Sequence, residues 1–309
     1  MKTINAMTDP LFHPGWIRFN EMQWGLNAEK TTLGPEKGDG WQLETVLYRN
    51  KRGLFVDPPR NPYLPVRFES TKNQSYSLNR RQRLGFQMLA ELLKKNGTKH
   101  GLTFSAALQD VRPFLWLGMR AEPKFTYVLA LENWHSLVDP SVLNRIRKAQ
   151  SLGYRCEATT NYAEVCECLK AAEERKHFDL KVSAHELQLA AQQMGENLVC
   201  FLLKGPDGDN KGAAIRLYCQ DGRALGWSTG IKTEALRDGG NSILYGFILD
   251  YFHEKGCTTM DLVGANIPSV GLMKEPWGGD LTTYYTIRPY EWQDIARGAI
   301  QVARTWLRK

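Results

Sequence analysis

The sequence predicts a mixed α+β fold whose core occurs twice, and three observations carry that expectation. From Tyr154 onward the hydrophobic periodicity switches between strand-like and helix-like runs in the order β-α-α-β-β-β-α-β-α-β. The first half repeats a fainter version of the same order. The chain of 309 residues is 42% hydrophobic with a mean hydropathy of −0.42, which suffices for one large core or two modest ones.

The elements follow from local pattern. Met1–Asn20 has aromatics without a clear period, and Glu21–Ala28 reads as a helix end. Thr31–Gly40, rich in Gly, Pro and charge, reads as a loop. Trp41–Tyr48 alternates as a half-buried strand does, Asn50–Gly53 turns, and Leu54–Val56 returns. Asp57–Pro62 cannot be regular structure, because its prolines lack a donor and fix φ. Asn79–Lys95 is a helix with Leu84, Met88, Leu89, Leu92 and Leu93 on one face and a basic remainder, stopped by Asn96-Gly97. Short strands are expected at Leu102–Phe104 and Lys124–Leu131, and a helix at Trp134–Gln150.

In the second half Tyr154–Thr159 is a strand, Tyr162–Lys176 and His185–Met194 are helices, and Leu198–Lys204, Ala213–Cys219 and Ala224–Ile231 are strands. Ile243–Phe252 places Leu244, Phe247, Ile248, Tyr251 and Phe252 at the i, i+3, i+4, i+7, i+8 spacing of a buried helical stripe, with Gly256 as its stop. Strands at Thr258–Val263 and Leu281–Ile287 follow, then a last helix at Trp292–Leu307.

Composition narrows the function. No apolar run approaches a membrane span and the N-terminus lacks a secretory apolar region, so a cytoplasmic protein is expected. The six cysteines form no CxxC pair and no Cys/His metal spacing, and the histidines fall in unrelated contexts, so neither a metal centre nor a Ser-His-Asp or Cys-His nucleophile is expected. The net charge of +7 and pI of 9.0 favour an anionic partner such as tRNA, CoA, a nucleotide-linked sugar or a membrane surface, without any recognisable RNA-binding module.

Glycines ahead of a strong helix let backbone N–H groups converge where the helix dipole is positive. Gly239-Gly240-Asn241-Ser242 is therefore either an anion site or an ordinary turn capped by Asn241 or Ser242. Asp261 lies in an apolar strand, where a carboxylate must be paired. It either orients a loop through backbone N–H groups or handles a proton. Tyr284 and Tyr285 alternate faces, so at most one enters a cleft.

Several stretches resemble a known family. Arg237-x-x-Gly240-x-Ser242 is similar to the pyrophosphate-binding turn of the GNAT acyltransferases. Asp261-Leu262-Val263-Gly264 followed by Met273-Lys274-x-x-Trp277-Gly278-Gly279 resembles the Asp-x-x-Gly and Phe-Lys-x-x-Phe-Gly-Gly strings of the Fem-type transferases, which are GNAT-like. Met273 and Trp277 here replace the two phenylalanines. Pro113-Phe114-x-Trp116-x-Gly118 and the basic Arg145, Arg147, Lys148 string before Gly153 fit the same pattern.

The resemblance implies a GNAT-like acyltransferase fold with two subdomains. Residues 1–142 would lie on the acceptor side and residues 143–309 would hold the transferase half. It implies an acyl or aminoacyl transfer from acyl-CoA or aminoacyl-tRNA to a small-molecule or peptidic amine, with no tightly bound cofactor and tRNA as a further partner. Lys274 and Asp261 would be catalytic, and Arg237, Gly239, Gly240, Asn241 and Ser242 would bind the donor. Arg60, Tyr63, Arg112, Trp116, Tyr127, Asn266 and Tyr285 would line the acceptor site, although the loop and core positions of Arg60, Trp116 and Tyr127 also suit purely structural roles. The alternative function is a GNAT-like module that binds a ligand without chemistry.

Overall fold

A computed structural model describes residues 9–35, 40–98, 100–176, 182–220 and 222–290. In the first half α1 (Pro14–Trp24) leads into β1 (Asn27–Leu33), β2 (Trp41–Arg49), β3 (Phe55–Val56), β4 (Val66–Ser70), α2 (Ser75–Asn96), β5 (Leu102–Phe104), α3 (Arg112–Trp116) and β6 (Met119–Ala130). The link is α4 (Trp134–Leu137) and α5 (Pro140–Ser151). The second half runs β7 (Arg155–Thr159), α6 (Tyr162–Lys176), α7 (Ala184–Met194), β8 (Leu198–Lys204), β9 (Asn210–Tyr218), β10 (Arg223–Ile231), α8 (Thr233–Arg237), α9 (Gly240–Glu254), β11 (Thr259–Asp261), α10 (Pro268–Lys274) and β12 (Asp280–Pro289). One order recurs: β1-β2-β4-α2-β5-α3-β6 in the first half and β8-β9-β10-α9-β11-α10-β12 in the second.

The halves exchange their last strands. The larger sheet has the order β5-β12-β6-β11-β10-β9-β8-β7. β6, from the first half, pairs with β11 of the second, and β12, from the second half, pairs with β5 of the first. β6 and β12 pair with each other along their length, from Asp280↔Val128 to Pro289↔Met119. Next to this centre each half has a parallel contact, β10 with β11 in one and Leu64 with Phe104 in the other. In the first-half contact Leu64 N donates to Thr103 O at 2.7 Å and Ser105 N to Leu64 O at 3.0 Å. The expected division at residues 142/143 is thus no boundary between sheets, because β5 and β6 precede it and lie in the larger sheet.

Other departures have local causes. β1 lies where a loop is expected. It is a polar edge strand of the smaller sheet, so it shows no apolar alternation. The expected helix at Trp134–Gln150 is two, because Pro140 starts a new one and Asp139 caps it by accepting from Ser141 N at 2.8 Å. β4 arises in a stretch to which the sequence reading assigns no element. The expected helix at Trp292–Leu307 lies outside the described residues. Among the described residues no helix is long and apolar enough to cross a membrane. All six cysteines are thiols, and burial pushes Cys156, Cys200 and Cys219 up to about 12.

Asp57, after β3, turns its carboxyl inward although the residue is half-exposed. Oδ2 accepts from Thr103 N at 2.9 Å, while Oδ1 is buried without a partner. Burial pushes this carboxyl up to about 7, against the pull of Thr103. A carboxyl raised on folding is protonated in the folded chain and ionised in the unfolded one between about pH 4 and pH 7. Its contribution to stability is therefore full below the unfolded value and is lost as pH rises through that window. We expect the melting temperature of the wild type to fall from pH 5 to pH 8 by more than that of Asp57→Asn, measured by calorimetry. Parallel curves would refute this.

Candidate active site

β10 and β11 pair only from Arg223↔Thr259 to Leu225↔Asp261, and β10 carries a bulge between Gly226 and Ser228. Beyond this point the two strands part. The opening holds a cavity of about 530 Å³. Gly226, Trp227, Ser228 and Thr229 of β10 line it, with Leu262 and Val263 after β11, Asn241, Ser242 and Tyr245 of α9, Met273 and Lys274 of α10, and Arg145 of α5. Among the described residues that line it are Arg145, Arg216 and Lys274, and no Asp or Glu.

The mouth is the start of α9. Gly239 is the N-cap at φ +87 and no side chain caps the helix, so the cap by Asn241 or Ser242 that the sequence left open is not formed. The first backbone bond of the helix is from Ile243 N to Gly239 O, which leaves the N–H groups of the preceding turn without intrahelical acceptors. A Cβ on Gly239 would lie 2.4 Å from Arg145 O, so glycine is what lets this turn sit against α5. Of the expected donor residues, Gly239, Asn241 and Ser242 line the cavity. Gly240 packs on Ala235 and Leu203 instead. Arg237 is exposed at the end of α8, and its carbonyl accepts from Lys148.

The floor is a strained loop. Val263 has φ +49, a region that a β-branched residue avoids at a cost of about 1–3 kcal/mol. Two side chains hold it there. Lys274 is 4% exposed and its Nζ donates to Leu262 O, Val263 O and Gly264 O at 2.7, 2.7 and 2.6 Å. Asp261 Oδ1 accepts from Val263 N at 2.8 Å and from Thr126 Oγ1 at 2.7 Å, with Tyr63 OH at 3.4 Å. Burial raises the Asp261 carboxyl above the ordinary range, against the pull of Arg223, Thr126 and Lys274. Of the two roles open for Asp261, this geometry is that of a loop-orienting carboxylate. Lys274 departs from the expected oxyanion-facing lysine, since three carbonyls of its own chain occupy its N–H groups. Gly278 and Gly279 likewise approach the protein's own backbone: Cβ atoms there would lie 2.0 Å from Leu137 O and 3.1 Å from Val128 O. Trp277 is buried between Trp134 and Tyr245.

The acceptor residues are brought together only in part: Tyr63 and Asn266 meet at Tyr284, and the others lie elsewhere. Arg60 is ion-paired with Glu186, and its carbonyl accepts from Trp227 Nε1 at 3.1 Å, which ties the Pro-rich segment to α7 and β10. Tyr63 is buried, with its ring edge-on to Tyr284. Asn266 bridges Phe125 N and Tyr284 OH at 2.8 and 2.9 Å. Tyr127 packs against the core under α9, whereas Tyr285 packs against the core of the first half. Arg112 is exposed and forked onto Asp110, beside the exposed Trp116. Sequence reasoning missed Arg216, Tyr245, Trp227 and the cavity role of Arg145. The legible signal was an arginine inside the otherwise apolar run Ala213–Cys219.

No family model and no curated protein matches the chain. Solved structures do. FemX superposes with a TM-score of 0.61 at 13% identity, over 91% of this chain and 92% of its own. The fold is Fem-like. The C-terminal domain of a putative lysylphosphatidylglycerol synthetase from Agrobacterium fabrum gives a TM-score of 0.56 at 11% identity, over 96% and 92% of the two chains. A tandem GNAT protein from the clavulanic acid biosynthesis pathway gives 0.50 at 13% identity, over 93% and 89%. The Fem-like fold, with its two GNAT-like halves, thus spans nearly the whole chain, and at these identities the likeness is one of fold.

In this Fem-like frame Lys274 works first on the shape of the cavity. Lys274→Met would strip three carbonyls of their donor and release the Val263 turn. We expect a loss of about 2–4 kcal/mol in chemical denaturation. Unchanged stability would remove the lysine from the scaffold.

Proposed function

We propose that the protein is an N-acyltransferase. It takes an acyl or aminoacyl group from an anionic carrier, acyl-CoA or aminoacyl-tRNA, and passes it to a small-molecule or peptidic amine. One observation carries this reading: the cavity between the parting strands β10 and β11 has an uncapped helix N-terminus at its mouth and is lined by Arg145, Arg216 and Lys274 without an acid. Phosphates of the carrier would meet the N–H groups after Gly239 and the Arg145 side chain. The acyl end would lie deeper, level with Gly226 and Leu262. Both carriers are cytoplasmic co-substrates, so the reading needs no tightly bound cofactor.

The donor ester or thioester is already activated, so the protein need not supply a nucleophile. The amine lone pair attacks the acyl carbon and a C–N bond forms. The C–O or C–S bond then breaks with its electron pair on the carrier, and the surplus amine proton passes to that leaving oxygen or sulfur. The charge of Lys274 stabilises the oxyanion through the field of a partly dry site rather than by free N–H donors of the lysine. Asp261 and Lys274 are positioning residues in this scheme.

Gly240 is too closely packed to test the mouth, since a Cβ there would lie 2.8 Å from both Ala235 O and Leu203 Cδ2. Asn241 is half-exposed on the lip. We expect Asn241→Asp to keep its melting temperature and to weaken binding of CoA or of a tRNA acceptor-stem fragment at least about tenfold, measured by calorimetry. Unchanged affinity for both, or no affinity in the wild type, would defeat the donor-site assignment.

A further inference from the structure

Arg216 presents a charge that the fold does not explain. It is on β9, 1% exposed, and paired in register with Gly226 at the point where β10 and β11 begin to part. One of its amino groups does structural work: NH1 donates to Ile215 O, Ser228 O and Thr229 Oγ1, each at 2.9 Å, and so pins the bulge. Nε is buried without a partner. The Tyr245 side chain hydrogen-bonds the guanidinium and its ring lies 5.2 Å from the guanidinium carbon, contacts that ease the charge without neutralising it. No carboxylate pairs with Arg216 among the described residues. The contrast with Arg223, 2.6 Å from Asp9, and Arg60, on Glu186, is direct. A buried guanidinium without a counter-charge is costly, and a neutral amide could pin the same bulge. The other charged side chains on the cavity wall, Lys274 and Arg145, are also cations.

Such a pocket selects by charge. An α-ammonium group on the acyl end would enter a wall that carries two buried cations and no acid. A carboxylate on the acyl end would supply the counter-charge that Arg216 lacks, in the fork geometry that guanidinium groups favour. We infer that the group transferred is an acyl chain bearing its own carboxylate, of the dicarboxylic half-ester or half-thioester class, and that Arg216 reads it. This rests on the donor-site reading above and narrows it, since it disfavours an aminoacyl donor.

The test is a matched series of tails on both carriers. Butyryl, succinyl and 4-aminobutyryl groups are neutral, anionic and cationic at similar length. Each is prepared as a CoA thioester and as a stable amide of 3′-amino-3′-deoxyadenosine, and binding to the full chain is measured by calorimetry. On whichever carrier binds, the succinyl tail is expected to bind at least about tenfold more tightly than butyryl, with the cationic tail weakest. In Arg216→Gln the succinyl preference should vanish, and in Arg216→Lys it should survive in part. Equal affinity for butyryl and succinyl, or tightest binding of the cationic tail, overturns the inference and leaves the donor site standing. If no tail binds on either carrier, the donor-site reading falls with it. Should Arg216→Gln fail to fold, the order of the three tails on the wild type still decides.

Discussion

The pairing of β6 with β12 is the constraint on which the rest depends. Each strand belongs by connectivity to one half and by hydrogen bonding to the other as well, so the larger sheet is continuous through the centre of the molecule. The buried polar groups around Asp261 lie across this seam. Tyr63 and Thr126 come from the first half, and Asp261 and Tyr284 from the second. Such a network is favourable only when its members meet in good geometry. The register of β6 on β11, with Val128 opposite Asp261, is what brings Thr126 within 2.7 Å of the carboxylate. The first half thereby helps to shape the floor of a cavity whose lining residues all come from beyond Leu143.

The floor of the cavity is braced by side chains of the second half. Its floor contains a residue in a conformation that a free chain would leave. The opposing holds come from a lysine ten to twelve residues further along and from a carboxylate two residues before. Neither hold is exposed to water to a degree that would weaken it. A site fixed before its ligand arrives does not have to be ordered by that ligand, and this is the general advantage of preorganisation.

Much of this was legible in the sequence, and the parts that were not share a cause. The stripe from Leu244 to Phe252 and the apolar runs of β8, β9 and β10 are periodic signals read from neighbours in the chain, and they gave the right elements in the right order. The break at Pro140 was missed, since Trp134–Gln150 reads as one helix by periodicity although a proline inside it favours a new start. β1 was hidden by its polar edge position. Of the two glycines singled out ahead of α9, Gly239 lines the cavity and Gly240 packs on Ala235 and Leu203. The partners of Lys274 could not be read, because they are backbone carbonyls made convergent by one unusual φ. Nor could the separate placing of Arg60, Tyr63 and Tyr285, since contacts far away in sequence set it, such as Arg60 on Glu186 and Tyr63 on Tyr284. Strand exchange is invisible to periodicity, which reports that a strand exists and not which edge it joins.

The exchange has a consequence for how the chain is made. β6 is translated well over a hundred residues before the strands that flank it, so it leaves the ribosome with both edges unpaired. The smaller sheet can form from first-half strands alone, but neither half can complete the larger sheet from its own strands during synthesis. The centre of the larger sheet forms only after β12 has emerged. In the interval the cell holds a nascent chain with an open, partly apolar strand, the kind of surface that chaperones cover and that neighbouring nascent chains can join. The same topology that locks the finished molecule together delays its completion until nearly the whole of the described chain has been translated.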